Sequence, residues 1–172
     1  HRYIRRQRQM CIRDRPSQVL SEGDLATAWA DLSEGEGEVD LVALGSPHLS
    51  LDELEALASY VADERKHDAV RVVATLGGAT RRQASSGALQ ALDAFGVELV
   101  EDTCWCMLTE PVVPPSNGAL ALTDSAKYAH YAPGLVGRRP RLTSMSRCVA
   151  SAISGRFAAR RPAWLQSRRR AS

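Results

Sequence analysis

Apolar and polar positions along the chain fall into short blocks that predict strands and helices in turn. Residues 39–45 (VDLVALG) are an apolar, β-rich run that ends in glycine, as a buried strand does. Ser50 precedes Glu53 by three residues, which is the spacing of a capping box, and leucines follow at helical intervals. Residues 69–75 (AVRVVAT) and 97–102 (VELVED) predict two further buried strands.

Helical patterns lie around and between these strands. Residues 24–33 suit a short helix, and after the second strand a loop leads into a helix with Leu89, Leu92 and Phe95 on its core side and Gly96 as its stop. Strands and helices that alternate at this spacing predict an α/β fold, in which a parallel sheet has flanking helices. Ligands of such sheets bind beyond the carboxyl ends of the strands, so a site is expected in the residues that follow them.

The second half of the chain predicts two more strands and two more helices. Residues 119–123 suit a short strand, and Ser125 is placed to cap a helix that Pro133 would stop. A last strand is predicted at residues 139–144 and a last helix at residues 145–155.

The formal net charge is only +2, but the charged residues are unevenly distributed along the chain. Residues 1–18 and 156–172 carry six arginines each, whereas residues 19–155 hold 19 of the 20 acidic residues. Basic ends can contact nucleic acid or anionic lipid. We expect instead that residues 1–18 are a non-native or disordered basic segment and that residues 157–172 are a disordered Arg-rich tail, with neither nucleic acid nor a membrane as partner.

The start of the chain bears on its completeness and location. The chain begins with His1 rather than Met, so we expect it to be a fragment that lacks an upstream part. No signal peptide is visible and no apolar run approaches the length of a membrane span, so the expected location is the cytoplasm.

Three cysteines are candidates for metal binding. Cys104 and Cys106 form a C-x-C pair just past the third predicted strand, and Cys148 lies in the first turn of the last predicted helix. A helix N-terminus lowers the pKa of a thiol, so Cys148 is expected to favour the thiolate that binds iron or zinc. The alternative is that each cysteine is a small buried hydrophobic residue. Together with Cys11, they are too few and too uneven in spacing for a disulfide scaffold.

Polar residues that could bind a ligand follow the first predicted strand. Ser46 and His48 lie in the segment GSPHLS, directly after Gly45. They could bind a polar ligand, or His48 could be a turn histidine with one hydrogen bond.

A second polar group occupies residues 122–134 (LTDSAKYAHYAPG). Thr123, Ser125 and Lys127 combine hydroxyls, the amides of a helix start and one of the two lysines of the chain, which suits a carboxylate or phosphate. Asp124 opposes anion binding unless its side chain points away. The alternative is a solvated turn whose tyrosine rings pack against the core.

Several common enzyme motifs are missing from the sequence. There is no G-x-G-x-x-G, Walker loop, G-x-S-x-G or H-E-x-x-H segment. These absences argue against the dinucleotide-binding, P-loop, α/β-hydrolase and zincin classes.

Blocks of the sequence resemble aconitase X, a branch of the aconitase superfamily. They are GSPHLS, DTC and SAKYAHYAPG, and they run in order between about Val39 and Arg156. The resemblance implies an aconitase-superfamily-like three-layer domain, with residues 19–156 as the C-terminal part of a catalytic domain. It also implies a dehydratase that contains mononuclear iron or an iron–sulfur cluster and acts on a small hydroxy acid, such as cis-3-hydroxy-L-proline.

The resemblance assigns roles to particular residues. It implies that Cys104 and Cys148 are iron ligands, with a third ligand upstream. It places Thr123, Ser125 and Lys127 in the substrate site, where Asp124 stands in place of the asparagine of the family's T-N-S-A-K block. No catalytic residue is assigned, because the proton-abstracting base belongs to a swivelling small subunit or domain of the same enzyme. Ser46 and His48 complete the expected substrate-binding set.

Three other interpretations stay open at this point. A phosphomevalonate dehydratase of an isoprenoid pathway would need more basic residues near Lys127, for which Arg138 or Arg139 are candidates. A non-catalytic zinc-binding module would use Cys104, Cys106, His130 and Cys148. A structural α/β domain would bind no ligand.

Overall fold

A computed structural model of the protein describes residues 19–166. In chain order the elements are α1 (Glu22–Ser33), β1 (Glu36–Leu49), α2 (Leu51–Val61), β2 (Arg71–Leu76), α3 (Gly78–Gln83), α4 (Ser86–Phe95), β3 (Val97–Glu101), a 3₁₀ turn (Trp105–Met107), β4 (Leu120–Thr123), α5 (Ala126–Val136), β5 (Arg141–Leu142), α6 (Met145–Ser154), β6 (Arg156–Ala158) and α7 (Ala163–Gln166).

Five strands form a parallel sheet in the order β3-β2-β1-β4-β5. Strand β1 is central, pairing with β2 on one side and β4 on the other. Its first residues also pair antiparallel with β6, where Gly37 lies opposite Phe157. The register between β1 and β2 shifts between Leu44 and Leu49, so the carboxyl end of β1 leaves the regular ladder. The α/β prediction is confirmed.

Alternation along β1 divides the core into two clusters on opposite faces of the sheet. Val42 and Leu44 contribute to the cluster that also contains residues of α2, α4 and α6. Leu41 and Ala43 contribute to the cluster on the other face, with Trp105 and residues of α5. Successive strand residues point to opposite faces, so β1 has helices or turns on both sides. Each fully buried leucine contributes about 1.5–3 kcal/mol to the free energy of unfolding.

The helix caps that depend only on a few adjacent residues form as the sequence predicts. Ser50 and Glu53 form the predicted capping box of α2. Gly96 ends α4 in the left-handed conformation, with a φ of 85°. Before α4, however, residues 78–83 form the separate helix α3 instead of the predicted loop.

Helix α5 corrects one prediction. Ser125 caps it as expected, but Pro133 does not stop it, and the helix continues to Val136 before Gly137 adopts a φ of 66°. An interior proline removes one helical hydrogen bond. Tyr128 and two alanines of α5 are buried on the sheet, and this packing keeps the helix continuous through the proline.

The disordered tail predicted from residue 157 is corrected at its beginning. Phe157 is buried within β6, and Ala163–Gln166 forms α7. An aromatic residue paired into the sheet stabilises a segment whose arginines suggested disorder. The predictions for residues 1–18, which include Cys11, and for residues 167–172 lie outside the described residues. None of the helices between residues 19 and 166 is long and apolar enough to span a membrane.

Candidate active site

The carboxyl ends of β1, β2, β3 and β4 lie along one edge of the sheet, because the four strands are parallel. We call this the carboxyl edge. It comprises residues 45–48, 75–78, 102–106 and 123–127. The sequence-predicted residues at the strand ends are therefore brought to one side of the domain.

The bend at residues 45–48, near the carboxyl end of β1, is fixed by its neighbours. Gly45 has a φ of 77°, and a Cβ atom there would overlap the carbonyl oxygen of Thr75. The hydroxyl of Thr75 donates to the carbonyl of Gly45 and, at 3.3 Å, to that of Pro47. The Ser46–Pro47 peptide is cis. Only glycine fits the position at the start of this bend.

His48 joins the ends of β1 and β3. Its Nε2 lies 3.1 Å from the carbonyl oxygen of Thr103. A carbonyl can only accept, so Nε2 carries the proton in this contact. The histidine thus holds in place the residue that precedes Cys104.

Residues 123–127 pack against the same bend. The hydroxyl of Ser125 donates to the carbonyl of Ser46 at 2.9 Å and accepts from the amide of Tyr128 at 3.3 Å. The buried Thr123 accepts from the amide of Ser125 at 3.2 Å. Both hydroxyls therefore fix the start of α5, where Lys127 is exposed in the first turn. Within residues 19–166, Lys127 forms no ion pair with a carboxylate.

Cys104 and Cys106 lie side by side at the carboxyl edge. Their sulfur atoms are 3.1 Å apart, with Cys104 half-buried and Cys106 exposed. A hydrogen bond from the backbone of Cys106, its thiol and the nearby charge of Lys127 lower the pKa of Cys104. The hydrogen bond to Cys104 raises the pKa of Cys106. Of the two, Cys104 is the thiol that more readily forms a thiolate.

Cys148 contradicts the predicted thiolate at a helix start. It is fully buried in the core, and burial raises its pKa well above the usual value, with a further rise from the charge of Asp124. Its amide already bonds to the carbonyl of Ser144, so it lies past the free amides of the helix end. Loss of solvent outweighs the helix dipole at this position.

Asp124 is a second carboxylate of the carboxyl edge, in addition to Asp102, and its residue type alone suggested only that it would oppose anion binding. It is half-buried, and burial, reinforced by Glu53, raises its pKa to about 6 despite hydrogen bonds from its own amide and that of Gly45. The sequence feature that could have identified Asp124 as a site residue is its position directly after a predicted strand.

Two other residues at the carboxyl edge had no sequence signal. The Nε1 of Trp105 donates to the carbonyl of Leu44 at 2.6 Å, and its ring lies 4.8 Å from that of Tyr128. Asp102 accepts from the amide of Gly78 at 2.9 Å and joins the ends of β2 and β3. These contacts join residues that are far apart in the sequence, so no short sequence pattern predicts them.

Some candidate residues lie elsewhere. Arg138 is buried and pairs with Asp40 at 2.5 Å, in the first half of β1 and away from the carboxyl edge. His130 is exposed on α5 beside Tyr131. Over residues 19–166, no three His, Cys, Asp or Glu side chains are grouped so that they could hold a metal ion. This finding contradicts the zinc site that would use Cys104, Cys106, His130 and Cys148.

Comparison with known proteins identifies the family. A sequence model described as the aconitase X third domain matches residues 39–154. The chain belongs to the aconitase X family. The resemblance found in the sequence is thereby confirmed, and the carboxyl edge lies within the matched third domain of aconitase X.

Three relatives within aconitase X show how similarity is distributed. The chain is 51% identical over 143 residues to the cis-3-hydroxy-L-proline dehydratase of Pseudomonas aeruginosa, covering 82% of this chain and 24% of that protein. It is 43% identical over 166 residues to the enzyme of the same name from Hypocrea jecorina, covering 95% of this chain and 27% of that protein. It is 35% identical over 121 residues to the phosphomevalonate dehydratase large subunit of Methanothermobacter thermautotrophicus, covering 69% and 29% respectively.

The structural comparison agrees on the fold. The crystal structure of Thermococcus kodakaraensis aconitase X in its holo form superposes with a TM-score of 0.63 at 19% identity, covering 81% of this chain and 36% of that one. The chain spans about a quarter of the length of the hydroxyproline dehydratases that it matches.

Proposed function

We propose that this chain is part of a hydro-lyase that removes water from cis-3-hydroxy-L-proline. The observation that carries the proposal is the 51% identity to a dehydratase of that name, against 35% for a phosphomevalonate dehydratase large subunit. The geometry supports it, because polar side chains from four strand ends meet at the carboxyl edge, where α/β sheets bind small ligands. The cytoplasmic location expected from the sequence belongs to the same proposal.

Lys127 binds the substrate carboxylate in this proposal. It is exposed in the first turn of α5, where helix amides also favour negative charge. Ser46, His48, Thr123 and Ser125 form the wall of the site. The contacts of His48 and Ser125 hold the three strand ends in register, so these residues set the position of the substrate relative to Lys127.

In this proposal Cys104 and Cys148 are two donors of a larger ligand set for the implied iron. Thiolates are soft ligands that suit iron, and the lowered pKa of Cys104 favours the ionised form. Burial raises the pKa of Cys148 well above its usual value, so its thiol stays neutral until a metal ion deprotonates it. Iron bound there would supply a Lewis acid for the leaving hydroxyl. A third ligand comes from outside residues 19–166, in which no three-residue metal cluster occurs.

The proton-abstracting base belongs to a swivelling small subunit or domain of the same enzyme. The phosphomevalonate dehydratases that match this chain are named as large subunits, which implies that those enzymes have a small-subunit partner. We therefore expect this chain alone to be inactive and residues 19–156 to act as the C-terminal part of the catalytic domain.

A phosphomevalonate substrate is the second candidate, on the ground of the more distant large-subunit relatives. A phosphorylated substrate calls for a cluster of basic residues. Arg138 pairs with Asp40 far from the carboxyl edge, so it is not available to a phosphate there. Lys127 is the one lysine or arginine of residues 123–127, and the Arg82 guanidinium lies beyond β1, against Gly78. This finding favours the hydroxyproline substrate.

The test uses the complete enzyme that contains this chain, purified without oxygen. Water loss is measured from cis-3-hydroxy-L-proline and, in parallel, from phosphomevalonate. Activity on the proline alone supports the proposal. Activity on phosphomevalonate alone would keep the family and overturn the substrate, and inactivity of the iron-loaded enzyme on both would overturn both substrates.

A further inference from the structure

Asp124 is a half-buried carboxylate with no cationic partner among residues 19–166. It lies directly after β4 at the carboxyl edge. Within residues 19–166, it forms no ion pair with arginine, lysine or histidine. The charged group that most affects it is Glu53, which has the same sign. Carboxylates removed from water are normally paired, so this one is unfavourably placed in the chain alone.

A cation supplied by a ligand would offset that cost. Asp124 and Lys127 lie three residues apart at the start of α5, so one short segment offers a negative and a positive charge. An amino-acid substrate carries the complementary pair, since its ammonium and carboxylate are bonded to the same carbon. A hydroxy acid without nitrogen has only the anionic half, and a second anion such as a phosphate would be repelled.

We propose that Asp124 binds the ring ammonium of a zwitterionic substrate and so selects cis-3-hydroxy-L-proline over hydroxy acids that lack an amine. This proposal rests on the proposed function. It assigns the two charges of residues 124–127 to the two charges of the substrate, with Lys127 on the carboxylate. Asp124 is then a specificity-determining residue that contributes to binding in the ground state as much as in the transition state.

The test compares the complete enzyme with its Asp124→Asn variant, which keeps the shape of the side chain and removes its charge. Two unreactive competitive inhibitors report on the amine: L-proline, which has it, and cyclopentanecarboxylate, which has a methylene in its place. In the wild type, L-proline should bind at least about tenfold more tightly, as expected for a charge-assisted hydrogen bond. In the variant this ratio should fall to near one, and the KM for hydroxyproline should rise about tenfold while kcat changes little.

Two further variants secure the interpretation. Asp52→Asn removes an exposed carboxylate at the start of α2 and should leave the inhibitor ratio unchanged. Asp124→Glu keeps the charge and should retain part of the amine preference. It also provides the comparison if thermal unfolding shows that Asp124→Asn does not fold.

The outcomes separate the two proposals. A wild type that does not act on hydroxyproline overturns the proposed function and this inference with it. A wild type that is active, with an inhibitor ratio that Asp124→Asn leaves unchanged, overturns this inference alone. A large loss of kcat without a change in KM or in the ratio would also contradict it, because it would make Asp124 a proton-transfer group.

Discussion

The hydroxyl of Ser125 donates a hydrogen bond of 2.9 Å to the carbonyl of Ser46, although 79 positions separate the two residues in the sequence. The same hydroxyl accepts the amide of Tyr128 and caps α5. One side chain therefore fixes both the start of the helix that carries Lys127 and the bend near the carboxyl end of β1.

Replacing Ser125 with alanine should lower the free energy of unfolding by about 1–3 kcal/mol. Loss of a cap costs about 1 kcal/mol, and the carbonyl of Ser46 loses its partner as well. Urea unfolding of the chain measures the change. Ser144→Ala is the matched control, because Ser144 precedes α6 without a side-chain cap bond and should cost under about 0.5 kcal/mol. Equal losses in the two variants would contradict the double role of Ser125.

The charge of Asp124 should make stability depend on pH. Its pKa rises from 3.8 to about 6 on folding, so the folded chain binds the proton more tightly than the unfolded chain does. Stability then falls as pH rises from about 4 to 6. Asp124→Asn should therefore be more stable than wild type by about 2–3 kcal/mol at pH 7 and show a difference under about 1 kcal/mol at pH 4. Urea unfolding at both pH values tests this, and a pH-independent difference would be inconsistent with it.

The cysteines should differ sharply in reactivity. Native Cys104 should react with iodoacetamide fastest, since its pKa is lowered, whereas Cys148 should react only after unfolding because it is fully buried. Peptide mass spectrometry over a time course measures labelling at Cys104, Cys106 and Cys148 separately, in a Cys11→Ser background that removes the fourth thiol. Labelling of native Cys148 at the rate of Cys104 would show that the core position is wrong.

Removing the ammonium of Lys127 should weaken substrate binding in the complete enzyme. Lys127→Ala is expected to raise the KM for cis-3-hydroxy-L-proline about 10–100-fold, the cost of one charge-assisted contact. Lys66→Ala is the matched control, since the Lys66 ammonium donates to the carbonyl of Val70 outside the carboxyl edge. Unchanged steady-state kinetics in Lys127→Ala would exclude this lysine from the site.

The buried pair of Arg138 and Asp40 should matter for stability. Arg138→Ala leaves a half-buried carboxylate and two carbonyls without their donor, and should cost about 3–5 kcal/mol. Arg71→Ala likewise removes the donor to two carbonyls, but it breaks the more exposed pair with Glu98, so it should cost less, about 1–2 kcal/mol. Thermal or urea unfolding distinguishes the two, and similar losses would contradict the structural role of Arg138.

The parts of the fold that depend on residues close together in the sequence were predictable. The capping box of Ser50 and Glu53 and the stop at Gly96 are local, as is the alternation of strands and helices. The continuation of α5 through Pro133 was not predictable, because packing of a helix face outweighs a local breaker. The raised pKa of Cys148 was missed for a related reason, since burial follows from the tertiary fold.

The candidate site was predictable in position but not in internal connections. Strand ends locate the carboxyl edge, and the order of residues in the chain places Cys104, Ser125 and Lys127 along it. The contact between His48 and Thr103 and that between Trp105 and Leu44 join residues 55 and 61 positions apart. Such pairs form only once the sheet has set the register, so no spacing in the sequence encodes them.

Trp105 gives the carboxyl edge an intrinsic fluorescent reporter. Its indole is 1% exposed and bonds to the backbone just before Gly45, whereas Trp164 is 50% exposed at the far end of the chain. Emission from Trp105 should therefore be blue-shifted relative to that of Trp164, and it should respond when the bend near the carboxyl end of β1 moves. A chain with Trp29 and Trp164 replaced by phenylalanine would let the state of this bend be followed by light alone, without added label.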